Sequence, residues 1–337
     1  MKVRWLVTLV SWFLALAVWG IGVTSCAKIA ALLEGATTEE EEEEAQKEAE
    51  DLAKQLEELR KEDPTARQAA LNALREMKKL ESLPAITRHM EDEDEDVVIA
   101  AIRTLCAFAY VPEKEPEERE IDPEAYQEAL ELKRKTTEVA LDSVLRALTH
   151  PSPDVRYWAV TTLQHMGLPP GDEEQRERVR RRATEPLCAR LRDENRDVRT
   201  IVADTLVALR IAAAGPDLIA ALKDPEPQVR QQAAFGLGEL QVREAVEALI
   251  QALRDEDAGV RWRAARSLAI LADPKAEEAL LAALEDENLA VRQYAIHGLS
   301  RLPGEKAQAT LARLNREEFQ LAEQAIAEEE AKRRKKL

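Results

Sequence analysis

One recurring pattern constrains this chain more than any other feature. In Asp255-Glu-Asp-Ala-Gly-Val260-Arg261-Trp-Arg-Ala264-Ala-Arg-Ser-Leu268 an acidic turn leads into a helix whose Val260, Ala264 and Leu268 share one face. The pattern stands 31 residues earlier as Asp224, Val229-Arg230, Ala233 and Leu237, and 31 residues later as Asp286, Val291-Arg292, Ala295 and Leu299. So short a unit cannot bury its apolar face alone, and neighbouring copies must stack to do it. The chain is an array.

With the arginine of Val-Arg as marker, the array runs Arg67, Val98, Arg156, Arg199, Arg230, Arg261 and Arg292. Six residues ahead of these stand Lys61, Asp92, His150, Asp193, Asp224, Asp255 and Asp286. A second helix follows in each unit, with Ala214, Leu218 and Leu222 matching Ala245, Leu249 and Leu253, then Ala276, Leu280 and Leu284. Two spacings are long: 58 residues from Val98 to Arg156, and 43 from Arg156 to Arg199. They place insertions at about 107–137 and 164–183. The first contains the acidic, proline-rich stretch Val111–Pro123, a surface loop followed by helix from about Glu124; the second contains Gly167-Leu-Pro-Pro-Gly and the basic Arg176–Arg182. Departures from a strict repeat are the first candidates for specificity, although surface insertions are also tolerated without any role.

Composition agrees with helix throughout. Apolar residues make up 45% of the chain but aromatics only 4%, which leaves little material for strands. The pattern D-x₄-V-R-x₂-A-x₃-L with its second apolar helix resembles HEAT-like repeats, in the short form also found in phycobilisome-lyase-type proteins, over roughly 62–315. The resemblance implies an all-α, right-handed superhelical α-solenoid of about seven helical pairs. It also implies a structural, non-catalytic ladder between neighbouring units, formed by Asp193, Arg199, Asp224, Arg230, Asp255, Arg261, Asp286 and Arg292. Lys61, Val98 and His150 depart from the pattern, so the N-terminal part of the ladder is expected to be less regular.

The flanks read differently. Met1-Lys2-Val-Arg4 is basic, Trp5–Val23 is uncharged and mostly apolar, and Val23-Thr24-Ser25-Cys26 resembles the lipobox of bacterial lipoproteins. That resemblance implies cleavage before Cys26, lipidation of Cys26, and, in a two-membrane bacterium, the outer membrane. The rival reading is an uncleaved anchor, since 19 residues of helix span ~28 Å against a hydrocarbon core of ~30 Å. Either way residues 1–25 export the rest to the cell envelope. Residues 26–62 form an acidic linker and capping helix: Thr38 and Glu41 make a capping box, Glu39–Glu44 favour the helix N-terminus, and Ala45, Ala49, Leu52, Leu56 and Leu59 form an apolar seam. The seam docks on the first repeat or pairs with another chain. Residues 316–337 form a terminal helix ending Lys332-Arg-Arg-Lys-Lys336, either a cap or a contact for anionic lipid or an acidic partner.

Little in the sequence carries chemistry. His89, His150, His165 and His297 have no metal-ligand spacing, and the residues after them (Met90, Pro151, Met166, Gly298) exclude the His-Glu pairs of deoxyhypusine hydroxylase, a HEAT-like metalloenzyme. No phosphate-binding glycine loop or Gly-x-Ser-x-Gly elbow is present. Cys188 falls on an apolar position of a second helix and Cys106 on a packed first helix; whether the two pair stays open. No catalytic residue, metal or cofactor is expected. A net charge of −17 argues against nucleic acid and suits a basic partner. Tyr157 and Trp262 share one repeat position, Trp158 and Tyr294 the next, and these four are interaction anchors or joints buried between repeats. The reading is a non-enzymatic, membrane-tethered envelope scaffold for a protein or peptide. The alternatives are an integral accessory subunit of a larger envelope complex and a lyase-like or ligand-binding repeat protein.

Overall fold

A computed structural model describes residues 39–111, 123–168 and 173–313, with 323, 324, 326 and 327 beyond them. The expectations for residues 1–38, including Cys26, for the loop 112–122, for 169–172 and for most of 316–337 lie outside these residues. All regular structure among the described residues is helical. The chain forms two compact units that divide between Phe108 and Ala109, at the start of the first insertion.

The first unit holds α1 (Glu39–Glu58), α2 (Pro64–Met77), the short α3 (Leu83–Arg88) and α4 (Glu95–Ala109). Asp63 starts α2 because its side chain accepts from the backbone N–H of Thr65 at 3.1 Å, while Pro64 supplies a fixed φ and no surplus donor. Helix α1 packs on α2, and its seam is used from the C-terminal end: Leu52 and Leu59 are buried, Leu56 is half-buried and Ala45 is exposed. The Leu59 carbonyl also meets His89 Nε2 at 3.0 Å, which ties α1 to the end of the first repeat.

The second unit holds α5 (Pro123–Ala147), α6 (Pro153–Gly167), α7 (Glu173–Arg190), α8 (Arg196–Ala208), α9 (Gly215–Ala221), α10 (Pro227–Glu239), α11 (Val246–Ala252), α12 (Ala258–Leu271), α13 (Glu277–Ala283), α14 (Leu289–Ser300) and α15 (Glu305–Leu311). The first helices of successive repeats, α6, α8, α10, α12 and α14, pack side by side. Each of the short second helices α9, α11 and α13 follows a 3₁₀ turn and packs against the first helix that comes next. Val198, Val229, Val260 and Val291 are buried, as are Leu206, Leu237, Leu268 and Leu299, so the recurring apolar positions make one continuous core.

How closely the first helices approach is set six residues after the marker. From the second repeat onward that position is Thr104, Thr162, Thr205, Gly236, Ser267 and Gly298, each small and buried, and in the first it is the half-buried Ala73. The hydroxyls are satisfied across or along the helix: Ser267 Oγ donates to the Ala234 carbonyl at 2.7 Å and Thr104 Oγ1 to the Leu71 carbonyl at 3.1 Å. Eleven residues after the marker the first helix is closed in the left-handed region by Lys78, Arg210, Gln241 and Ala272, none of them glycine.

Gly238 lies at the tightest of these approaches. A Cβ there would sit 2.8 Å from the Ser267 Cα, which is backbone and cannot swing aside, whereas a Cβ on Gly259 meets first the amide end of Gln231 at 2.5 Å. Gly238→Ala is therefore expected to cost about 1–3 kcal/mol, read as a lower urea midpoint, and Gly259→Ala clearly less. Equal losses for the two would mean that helix approach is not what glycine serves at 238.

Candidate interaction site

The recurring Asp and Arg meet across repeats. In each complete rung the guanidinium reaches forward to the turn of the next repeat and grips its carboxylate with two parallel bonds. Arg230 Nε lies 2.8 Å from Asp255 Oδ2 and Nη2 2.9 Å from Oδ1, and Arg261 makes the same pair with Asp286 at 2.8 and 3.1 Å. Arg199 with Asp224 and Arg156 with Asp193 complete the row in the second unit. The remaining nitrogen, Nη1, points back into the arginine's own turn and donates to two carbonyls, those of Asp224 and Pro225 for Arg230. The aspartate is equally committed, since Asp255 Oδ1 also accepts the backbone N–H of Asp257 at 2.9 Å. One planar cation thus fastens two turns, as its fork geometry allows and a lysine's would not.

This geometry explains which departures matter. The residue six before the marker serves the arginine through its carbonyl, so His150 fills the place as well as aspartate does: Arg156 Nη1 is 2.8 Å from the His150 carbonyl. The rung it belongs to is the most buried, with side-chain exposures of 5% for Arg156 and 1% for Asp193. The irregularity expected at His150 is absent. Lys61 likewise offers its carbonyl to Arg67, but that rung is thinner, with Nη2 alone on Asp92 at 2.8 Å and Nε buried without an acceptor. At Val98 the marker is a buried valine that has no guanidinium to give.

Burial pushes the carboxyls of Asp92, Asp193, Asp255 and Asp286 up, but the arginine and backbone hydrogen bonds outweigh it and hold all four below the ordinary range. Beside each fixed aspartate the next residue projects into solvent. Glu256 and Glu287 are 87% exposed at the side chain and Glu194 is 81% exposed, yet each stays 3.2–3.4 Å from the rung guanidinium. Three of the four complete rungs therefore display an oriented carboxylate, and Pro225 leaves a gap beside the rung at Asp224.

The four aromatic candidates separate into two pairs. Trp262 stacks on Tyr294 of the next repeat with centroids 5.7 Å apart and planes at 20°, and Tyr294 is 3% exposed. That pair is a joint between α12 and α14. The Arg263 guanidinium covers the Trp262 ring at 4.8 Å. Tyr157 and Trp158, both half-buried on α6, meet edge to face at 5.9 Å. Cys106 and Cys188 are free thiols, and burial followed by the neighbouring Asp217 pushes Cys188 up to about 11, out of the range of a reactive thiolate.

A second grouping was not anticipated from the sequence. The insertions supply Tyr110 and Lys133 from one side and His165, Leu168 and Arg176 from the other. Lys133 is 2% exposed, and its ammonium donates to the Leu168 carbonyl. Burial and then the charge of Arg176 bring it down to about 8. His165 is lowered by burial and by Lys133, and its ring meets that of Tyr110 edge-on at 5.3 Å. A signal existed: Leu132, Lys133, Thr136, Thr137, Ala140, Leu141 and Val144 are all buried at helical spacing, which makes Lys133 a lysine in core register. Among the described residues no group of His, Cys, Asp or Glu is placed to hold a metal ion.

Comparison with known proteins adds to this. Residues 49–117 and 215–283 match the family model for HEAT repeats. A crystal structure of an engineered protein superposes with a TM-score of 0.51 at 19% identity, over 65% of this chain and 96% of the other. A designed armadillo repeat protein in complex with the peptide (KR)4 gives 0.50 at 18% identity, over 65% of this chain and 98% of the other. No curated protein matches. The two matched stretches are therefore similar to HEAT repeats, and the described residues form an all-α repeat fold.

Two outcomes follow for the charged groups. Asp255→Asn leaves the buried Arg230 with only the exposed Glu256 as counter-ion and is expected to cost roughly 2–4 kcal/mol, against ~0–1 kcal/mol for Glu48→Gln in the exposed pair with Lys79. Because the carboxyls of Asp92, Asp193, Asp255 and Asp286 are depressed, their contribution is full above the ordinary aspartate range and is lost as pH falls through their lowered values. Acid titration of the Asp255→Asn variant should show a shallower loss than the parent. Lys133 gives a slope of the same sign in an alkaline window: between about 8 and its ordinary 10.5 the unfolded chain holds more protons, so stability rises with pH over that interval. Lys133→Met should remove that rise in urea titrations, and an unchanged slope would show that burial does not perturb the amine.

Proposed function

We propose, for a chain with two stretches similar to HEAT repeats, that it works as an exported, membrane-tethered adaptor without catalytic activity, holding a basic, extended segment of a protein partner along its repeats. The observation that carries this reading is the set of exposed carboxylates at Glu194, Glu256 and Glu287, each oriented beside a rung, two of them in adjacent repeats and the third two repeats earlier across the gap at Pro225. A partner with cations at regular intervals gains from every repeat it spans, because each further contact forms at high effective concentration. The net charge of −17 raises the encounter rate with such a partner and disfavours nucleic acid. The armadillo-type comparison, a designed protein with (KR)4 bound, supports the mode on a related fold.

The tether rests on Val23-Thr24-Ser25-Cys26 behind an uncharged apolar run and a basic start. Among the described residues no helix is long and apolar enough to cross a membrane. Lipidation of Cys26 would place the array on the outer face of a membrane and confine its search for a partner to that surface.

Two measurements test the two halves. A labelled (KR)4 peptide should bind the full chain and weaken at least tenfold when Glu194, Glu256 and Glu287 are all changed to Lys. A control triple at Glu177, Glu185 and Glu247, equal in charge but off the rungs, should keep most of the affinity. Equal losses in both would reduce the effect to bulk charge and remove the adaptor mode. Intact mass of the membrane fraction should show acylation at Cys26 that Cys26→Ala abolishes; a soluble, unmodified parent would end the tether.

A further inference from the structure

We infer that the meeting point of the two insertions is an oxyanion-binding site, with a phosphate group as the ligand class, built from Lys133 on α5, His165 on α6 and Arg176 on α7. The Lys133 ammonium carries three N–H groups, and the Leu168 carbonyl takes one. Among the described residues no carboxylate bears on this amine; the charge that does is that of Arg176, and Lys133 in turn bears on His165. Glu173 engages Arg176 only at Nη2, from a side chain that is 63% exposed, and Arg176 Nε is buried with no acceptor among the described residues. Arg178 Nε and Arg180 Nε on the same helix are buried and unmatched too. Burying an ammonium without a counter-ion is strongly unfavourable, and an oxyanion accepting from Lys133 and Arg176 removes that penalty.

The placement is also specific. Every other charged side chain buried on the marker row is matched by an aspartate of the next repeat, and the repeat pattern supplies nothing to Lys133. The site exists only where both insertions are present. The half-exposed Tyr110, edge-on to His165, marks the side on which the cluster meets solvent. Phosphate suits it better than a carboxylate does, because its tetrahedral oxygens can accept from donors on more than one helix, and Arg is well matched to it.

The test is a titration of the full-length chain, in detergent at pH 7, with sodium phosphate against sodium chloride at matched ionic strength. Thermal unfolding and calorimetry report binding. The expected result is a saturable gain in melting temperature with phosphate beyond chloride, weakened at least tenfold in Lys133→Met and in Arg176→Gln. Arg181→Gln, exposed on the same helix, should keep it. The comparison is of the phosphate increment within each variant, so a change in the variant's own stability does not disturb it. Parallel titration with glycerol 3-phosphate identifies the source, tighter binding favouring a phosphate ester such as a headgroup and weaker binding favouring the free ion. A phosphate increment no larger than chloride's, or one that survives both Lys133→Met and Arg176→Gln, overturns the site.

Discussion

The rest of the second unit depends on a forked cation held between two turns. Each rung arginine satisfies carbonyls in its own turn and a carboxylate in the next, and that carboxylate in turn organises its own turn by accepting a backbone N–H. Hydrophobic stacking alone would let neighbouring helices slide, because apolar contact has no direction. The rungs add direction: they fix rotation and register at one end of every helix pair, while the small residue six positions on fixes separation. Together they leave each repeat one way to sit on its neighbour.

This division of labour explains what the sequence disclosed. Val, Ala and Leu at four-residue steps reveal the core because burial requires them, and the Asp and Arg markers reveal the rungs because only those side chains have the needed geometry. What the sequence hid is whatever the backbone can do in place of a side chain. His150 looked like a broken rung, yet the arginine uses only its carbonyl, which every residue has. Lys61 is similar, although there the forward bond is single. The aromatic positions were ambiguous because a helix in such an array touches neighbours on two sides, and only the fold shows that Trp262 and Tyr294 face one another.

The insertions were legible as interruptions but not as a place. Spacing locates 107–137 and 164–183, and acidity and proline mark their loops, but nothing in a linear pattern says that Lys133 and Arg176 come near each other. The periodicity of α5 carries a partial hint, since a lysine stands where an apolar residue is expected. Within an acidic chain, a buried amine and the arginines of α7 form a local reversal of charge, on helices that the strict repeat does not contain. Regular repeats supply a uniform acidic face, and the departures supply the opposite chemistry.

The rungs also have a polarity. Each rung arginine points toward the C-terminus and an aspartate answers from the following turn, so the regular repeats that begin at Asp193, Asp224 and Asp255 present the same acceptor behind and the same donor ahead. A 31-residue segment excised at any phase and copied in place would therefore meet matching partners at both junctions. An array joined in this way can lengthen or shorten by gene duplication or deletion without a compensating change elsewhere. Its length is then free to follow the length of what it binds.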